Sequence, residues 1–151
     1  MPEKEIENKE ATPPMPNYRA QGFYLKDFSF ENPKAPQIFA KAAQKPKMEL
    51  SVDVGVKKIE GTSFEVALKT NAQAIVDGEV IFLIELVFAG IFAVNPELGK
   101  DEIERLLLVD CAKDVFPFSR RVIADATREG GFAPLIIDPI DFEMVYNSRK
   151  K

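Results

Sequence analysis

Three carboxylates stand out by their setting: Asp27 and Glu31 in GFYLKDFSFE, and Glu85 inside the run VIFLIELVFAGIFAV. Paired carboxylates can carry general acid–base or glycosidic chemistry, but only in a cleft that raises one pKa and shapes a pocket for substrate. A solvated sheet face offers neither. Two other readings stay open: ordinary solvated charges, or an acidic docking patch for a basic partner with Leu83 as apolar anchor beside Glu85. Cys111 lies in an apolar stretch and reads as a buried, inert thiol. Arg120, Arg121 and Arg128 could gather an anion or simply balance the C-terminal dipole of a helix. The chain has no histidine at all. That removes the commonest general base and metal ligand and makes Ser–His and Cys–His nucleophile pairs impossible. There is no glycine-rich phosphate loop, no paired metal motif and no GxSxG. The expectation is a protein with no catalytic residues, no metal and no cofactor.

The chain is 151 residues, one domain's worth, and 46% of them are hydrophobic, enough for a real core. A net charge of −4 argues against nucleic acid as the main partner, because phosphate demands a basic face. One cysteine excludes an internal disulfide and a multi-cysteine zinc site, and fits a reducing compartment. No apolar run is long enough to span a bilayer, and MPEKEIENKE lacks the apolar centre of a secretory signal. A soluble, cytoplasmic protein with no membrane insertion is expected.

The acids must be positioned by strands. Residues 1 to about 17 are charged and carry Pro2, Pro13, Pro14 and Pro16. Such a segment cannot bury enough apolar surface to offset its ordering entropy. A disordered tail is therefore expected over residues 1–20, a domain over 21–147 and a short tail over 148–151. Gly22–Glu31 reads as the first strand. Alternation puts Tyr24, Lys26, Phe28 and Phe30 on one face, and Phe23, Leu25, Asp27, Ser29 and Glu31 on the other. Asp27 and Glu31 thus point the same way, two pleats of about 7 Å each apart. Asn32–Lys45 contains Pro33 and Pro36 and is too long for a hairpin. It is expected to cross to a non-adjacent position, anchored by Ile38 and Phe39. Lys47–Ile59 alternates Met48, Leu50, Val52, Val54 and Val56 against Lys47, Glu49, Ser51 and Asp53, a half-buried strand. Glu60-Gly61 is a turn. Phe64, Val66 and Leu68 against Glu65, Lys69 and Asn71 repeat the pattern, and Asp77-Gly78 signals a hairpin into Val80–Val94. That last strand is apolar on both faces.

Asn95-Pro96 ends the sheet. A helix is expected from an Asp101 cap to about Arg128, apolar over more than one stripe and hence buried all round, kinked or broken at Pro117 and stopped by Gly130-Gly131. Asp141–Asn147 reads as a short final helix capped by Asp138 or Asp141. Strands followed by helices mean an α+β fold: a four-stranded antiparallel sheet, a long broken helix and a short C-terminal helix. One thin sheet with an apolar central strand and an apolar helix points to a homo-oligomer. Between them lies FAPLIIDP, apolar and extended. Core is the reading its residues favour; lining a groove for an extended apolar peptide, with Phe39 and the last helix, is the alternative.

Four motifs resemble the SecB family of protein-export chaperones, in order and at the right separations. They are Asp27-Phe28-Ser29-Phe30-Glu31 with Pro33, Ala35 and Pro36; Phe82-Leu83-Ile84-Glu85 with Gly90-Ile91-Phe92; Phe116-Pro117-Phe118-Ser119-Arg120; and Gly131-Phe132 with Leu135, Ile137, Pro139 and Phe142. The resemblance implies a cytosolic homotetramer, a dimer of dimers, with no enzymatic activity and no ATP or metal. It implies a chaperone that holds unfolded precursor polypeptides for export and delivers them to the SecA ATPase. It places SecA binding on Asp27, Glu31, Leu83 and Glu85. Ile84, Leu86 and Phe88 are implied in assembly, and the helix positions Leu106, Val109 and Ala112 are expected to join them. The client groove is implied between Asn32–Lys45 and the last helix, with Ile38, Phe39, Phe132, Pro134, Leu135, Phe142 and Tyr146. The chain departs from the family in having no tryptophan in the crossover, Ala133 where proline is usual, and a short C-terminus ending Arg149-Lys150-Lys151.

Overall fold

The computed structural model describes residues 16–41 and 44–149. Four long strands form one antiparallel sheet: β1 Tyr18–Glu31, β2 Lys47–Glu60, β3 Ser63–Val76 and β4 Glu79–Val94, in the order β1-β4-β3-β2. The meander of β2, β3 and β4 turns where the sequence places its hairpin. Asp77 and Gly78 both have positive φ, 52° and 76°, the two-residue turn whose twist matches that of the strands. β1 and β2 hold opposite edges, so the connection after Glu31 crosses the sheet, as its prolines and length imply. Within it Gln37–Ala40 forms a short 3₁₀ turn. Strand β1 starts at Tyr18, paired with Val94, inside the segment expected to be a tail; residues 1–15 of that segment, like 150–151 of the C-terminal one, lie outside the described residues.

The face assignment in β1 needs correction. The register shifts between Leu25 and Asp27, with Lys26 as the extra residue of a bulge. Simple alternation therefore fails at that point. Phe23 and Leu25 stand opposite Gly90 and Phe88, on the same face as Phe28 and Phe30, while Tyr24 joins Asp27, Ser29 and Glu31 on the other. The bulge lets one strand keep an apolar face along its length although its sequence changes phase.

The helical layer packs on β3 and β4. It begins at Lys100 behind Gly99 rather than behind Asp101, and Asp101 and Glu102 then complement the dipole from the first turn. Lys100–Arg105 is α1, Leu106–Cys111 is a π-helical segment, and Ala112–Glu129 is α2. The helix runs on through Pro117; its irregularity is the π segment upstream. There Leu106, Leu107, Val109 and Cys111 are all buried, more than a regular helical stripe would hide on one side. Burial all round is not realised in the single chain: Leu108, Phe118 and Val122 stay partly open. α2 ends in a Schellman motif. Gly131 (φ +91°) donates its N–H to Arg128 O and Phe132 donates to Thr127 O, both at 3.0 Å. The final helix α3, Phe142–Arg149, is capped by Asp141, whose Oδ1 accepts the Met144 N–H at 3.0 Å. It packs on the π segment, and Arg149 reaches across β2 to pair with Asp53 and donate to Val54 O.

Two consequences matter for function. Val54 is the only β2 residue that becomes buried, whereas Met48, Leu50, Val56 and Ile59 remain exposed along the free edge strand, because the helices do not extend that far. Ile84, Leu86, Phe88, Leu106, Val109 and Ala112 are all buried within the one chain. The chain's own sheet and helices cover these six side chains.

Candidate docking face and peptide groove

The uncovered face of the sheet gathers the acids. Glu31 stands opposite Leu83, Ser29 opposite Glu85 and Asp27 opposite Val87, so all four residues singled out in the sequence share one face over adjacent rungs. Cross-strand neighbours there lie about 5 Å apart and diagonal ones about 7 Å. Asp27, Glu31 and Glu85 are exposed and Leu83 is half-buried. Among the described residues none of the three carboxylates forms an ion pair, while most other acids on the sheet are neutralised locally. Glu65, further along the same face, shows the contrast. Lys26 Nζ donates to it at 2.7 Å and the Tyr24 hydroxyl donates to it as well. Those two hydrogen bonds hold its carboxyl below the usual carboxylate range, and partial burial with the Glu65 charge pushes the Tyr24 hydroxyl up to about 12. Beyond Leu83 and Glu85 on the neighbouring strand lie Gln73 and Asn71. Asp27, Glu31 and Glu85 are exposed rather than enclosed, as carboxylate chemistry would require, and together they can meet a basic or donor-rich surface around Leu83.

The groove lies at the far end of the helical layer. It has a volume of about 830 Å³ and is walled by the crossover (Pro33 to Phe39) and by Gly131 to Leu135. Ile38, Phe39, Phe132, Pro134 and Leu135 all line it. Phe142 and Tyr146 do not. Both are under 5% exposed, and Phe142 packs edge-to-face on Phe116, its ring centroid 6.0 Å away. These two aromatics of α3 go to the core, while Met144 between them points to solvent, and no residue of α3 lines the groove. The floor holds residues the sequence reading missed: Ile81, Phe82, Val76 and Met48. The signal for them is position: once the hairpin turn is fixed, the first residues of β4 and β2 must lie under the crossover. Phe132 is central, its ring centroid 5.0 Å from Phe82 and 5.3 Å from Phe39. Phe39 is 48% exposed, an aromatic face ready to be covered. At the rim Lys34 pairs with Glu79 at 3.5 Å, a weak surface bridge.

Cys111 takes no part in either site. It is fully buried, and burial together with the Asp114 and Asp110 charges pushes its thiol far above the ordinary range. An alkylating reagent at neutral pH is expected to label it only after the chain unfolds; stoichiometric labelling of the native protein within minutes, followed by mass spectrometry, would show the placement to be wrong. Among the described residues no group of histidine, cysteine or carboxylate side chains could hold a metal ion, and no helix is long and apolar enough to cross a membrane.

Comparison with known proteins agrees with the motifs. The family model described as preprotein translocase subunit SecB matches residues 11–151. A protein-export protein of Parvibaculum lavamentivorans is 48% identical over 134 residues, covering 89% of this chain and 79% of its own length. Another from Maricaulis maris is 42% identical, covering 89% and 77% respectively. Among solved structures, a SecB-like chaperone of Mycobacterium tuberculosis, in complex with a peptide from an antitoxin, superposes with a TM-score of 0.70 over 82% of this chain and 91% of its own. At 16% identity that match speaks to the fold.

Proposed function

The chain belongs to the SecB family, and from that premise we propose that it is a cytoplasmic, ATP-independent chaperone that holds unfolded precursor polypeptides and hands them to SecA. The observation that carries the reading is the groove: about 830 Å³, walled by loops and lined by Phe82, Ile81 and Met48, beside an edge strand whose apolar side chains stay open to solvent. A holding chaperone must accept many sequences. It therefore needs an adaptable apolar trough rather than a precise polar pocket, and it loses affinity once a client folds and buries its apolar segments. The acidic face on the opposite side of the sheet would then be free to meet SecA while the groove is loaded, through Asp27, Glu31 and Glu85 around Leu83. The charge also keeps a loaded complex soluble.

The reading includes a homotetramer, a dimer of dimers. With the buried set excluded, the residues that support self-association are those still open: Leu25 and Phe28 on β1, exposed by 50% and 38%, and Phe118 and Val122 on α2. They flank the unpaired edge of β1, where a second copy would continue the sheet. The test is native mass in solution, alone and with a chemically unfolded precursor. Uptake of the unfolded chain by a tetramer, and none of the same protein folded, is expected. A monomer, or a tetramer indifferent to unfolded chains, would leave only the acidic face as a docking surface and favour an adaptor for one folded partner.

A further inference from the structure

Both walls of the groove are loops, and neither is held to the other by a sheet ladder; the point they share is the end of α2. Thr127 is fully buried there. Its hydroxyl donates to Ile123 O at 2.9 Å and accepts the Leu135 N–H at 2.9 Å, so one side chain ties the second wall back to the helix. A threonine hydroxyl has one proton and two lone pairs, and here both functions are used. The first wall is tied to the same place. Asn32 Nδ2, at the start of the crossover, donates at 2.9 Å to Gly130 O, one of the carbonyls that a helix end leaves without an internal partner. The glycines keep these anchors close. A Cβ at Gly130 would come within 2.4 Å of the Phe30 ring, and one at Gly131 within 2.9 Å of the Phe39 ring. Crossover, helix end and wall therefore meet without side-chain spacers.

We propose that Thr127 and Asn32 are positioning residues that set the separation of the groove walls, and through it the affinity for extended apolar segments. This rests on the reading of the groove as the client site, and it adds residues that touch no client. Thr127 acts through Leu135, Asn32 through the crossover that carries Ile38 and Phe39.

The test uses the full-length protein and, as probe, a reduced and carboxymethylated protein that cannot refold. Thr127→Val keeps the side-chain shape and removes the hydroxyl. It is expected to lower probe affinity about five- to tenfold, the size of one lost hydrogen bond, with native mass and helical content unchanged. It should also speed hydrogen exchange at the Leu135 amide. Thr127→Ser is expected to restore both. A merely structural role would lower the melting temperature while the folded variant keeps the wild-type affinity for the probe. Asn32→Ala, at a half-buried loop position, repeats the affinity measurement should the valine variant fail to assemble; a drop of about threefold is expected there. Wild-type affinity in both variants, or unchanged Leu135 exchange in Thr127→Val, overturns the assignment. Wild-type protein that takes up no probe would sink the client reading instead, and the Leu135 exchange would then decide the positioning claim alone.

Discussion

Glu85→Lys is expected to weaken SecA binding about tenfold to a hundredfold while leaving the native mass and the uptake of unfolded chains unchanged. The size follows from two effects acting together. The substitution removes one of three carboxylates that share a face over adjacent rungs, and it sets a cation among the rest, which would repel the basic partner proposed for this face. None of Asp27, Glu31 and Glu85 has an ion pair among the described residues, so no neighbouring cation competes with a basic partner for them. Glu85 is exposed and its neighbours across the strands are Ser29 and Asn71, so the lysine has room and no core contact is lost. Asp27→Ala should act in the same direction by a smaller amount, roughly threefold to tenfold, since it removes a charge without reversing one. Titration calorimetry at two salt concentrations checks the origin. The loss should shrink as salt rises, because exposed charges separated by more than a Debye length of roughly 8 Å are screened at physiological ionic strength. Affinity equal to wild type in Glu85→Lys would remove this face from the SecA contact.

Alternation and turn chemistry made much of this architecture readable in advance. The meander, its Asp77-Gly78 hairpin, the crossover, the helix stop at Gly130-Gly131 and the Asp141 cap each rest on a local rule that the chain obeys. The acidic face was legible for the same reason: Asp27, Glu31, Leu83 and Glu85 sit on strands, where face follows from parity. The failures share a physical cause too. The bulge at Lys26 shifts parity by one, and no residue type marks it, so Phe23 and Leu25 change sides unannounced. Whether an apolar side chain is core or interface is a tertiary outcome. Phe142 and Tyr146 look like groove aromatics until α3 is seen to turn both inward, Phe142 against Phe116. The floor of the groove needed the three-dimensional meeting of strand ends that lie far apart in sequence, such as Met48 and Phe82. Thr127 gave no signal at all, since a threonine near a helix end is ordinary until the N–H it satisfies is known.

Leu86→Asp and Phe28→Asp, which face each other across β1 and β4, are expected to fail in different ways, and the difference tests where folding ends and assembly begins. Leu86 is 1% exposed, at the centre of the sheet beneath the helical layer. An aspartate there must either bury an unpaired carboxylate or take up a proton, and the leucine's apolar contacts are lost in either case. Together these should cost on the order of 4 kcal/mol or more, a large share of a typical domain's stability. Leu86→Asp should therefore unfold the chain, with loss of the cooperative melt and aggregation on expression, rather than yield a folded dimer or monomer. Phe28 presents 38% of its surface to solvent beside the free edge of β1, close to Leu25. Aspartate there leaves the single chain's core in place, with a change in its own stability of about 1 kcal/mol. It sets a charge where a second copy would have to cover apolar surface, and the like charge on that copy doubles the penalty. Light scattering should find Phe28→Asp as a folded, smaller species with a cooperative melt. A folded tetramer in Leu86→Asp would contradict the burial of that residue. A full-mass tetramer in Phe28→Asp would exclude Phe28 from the proposed contact between copies.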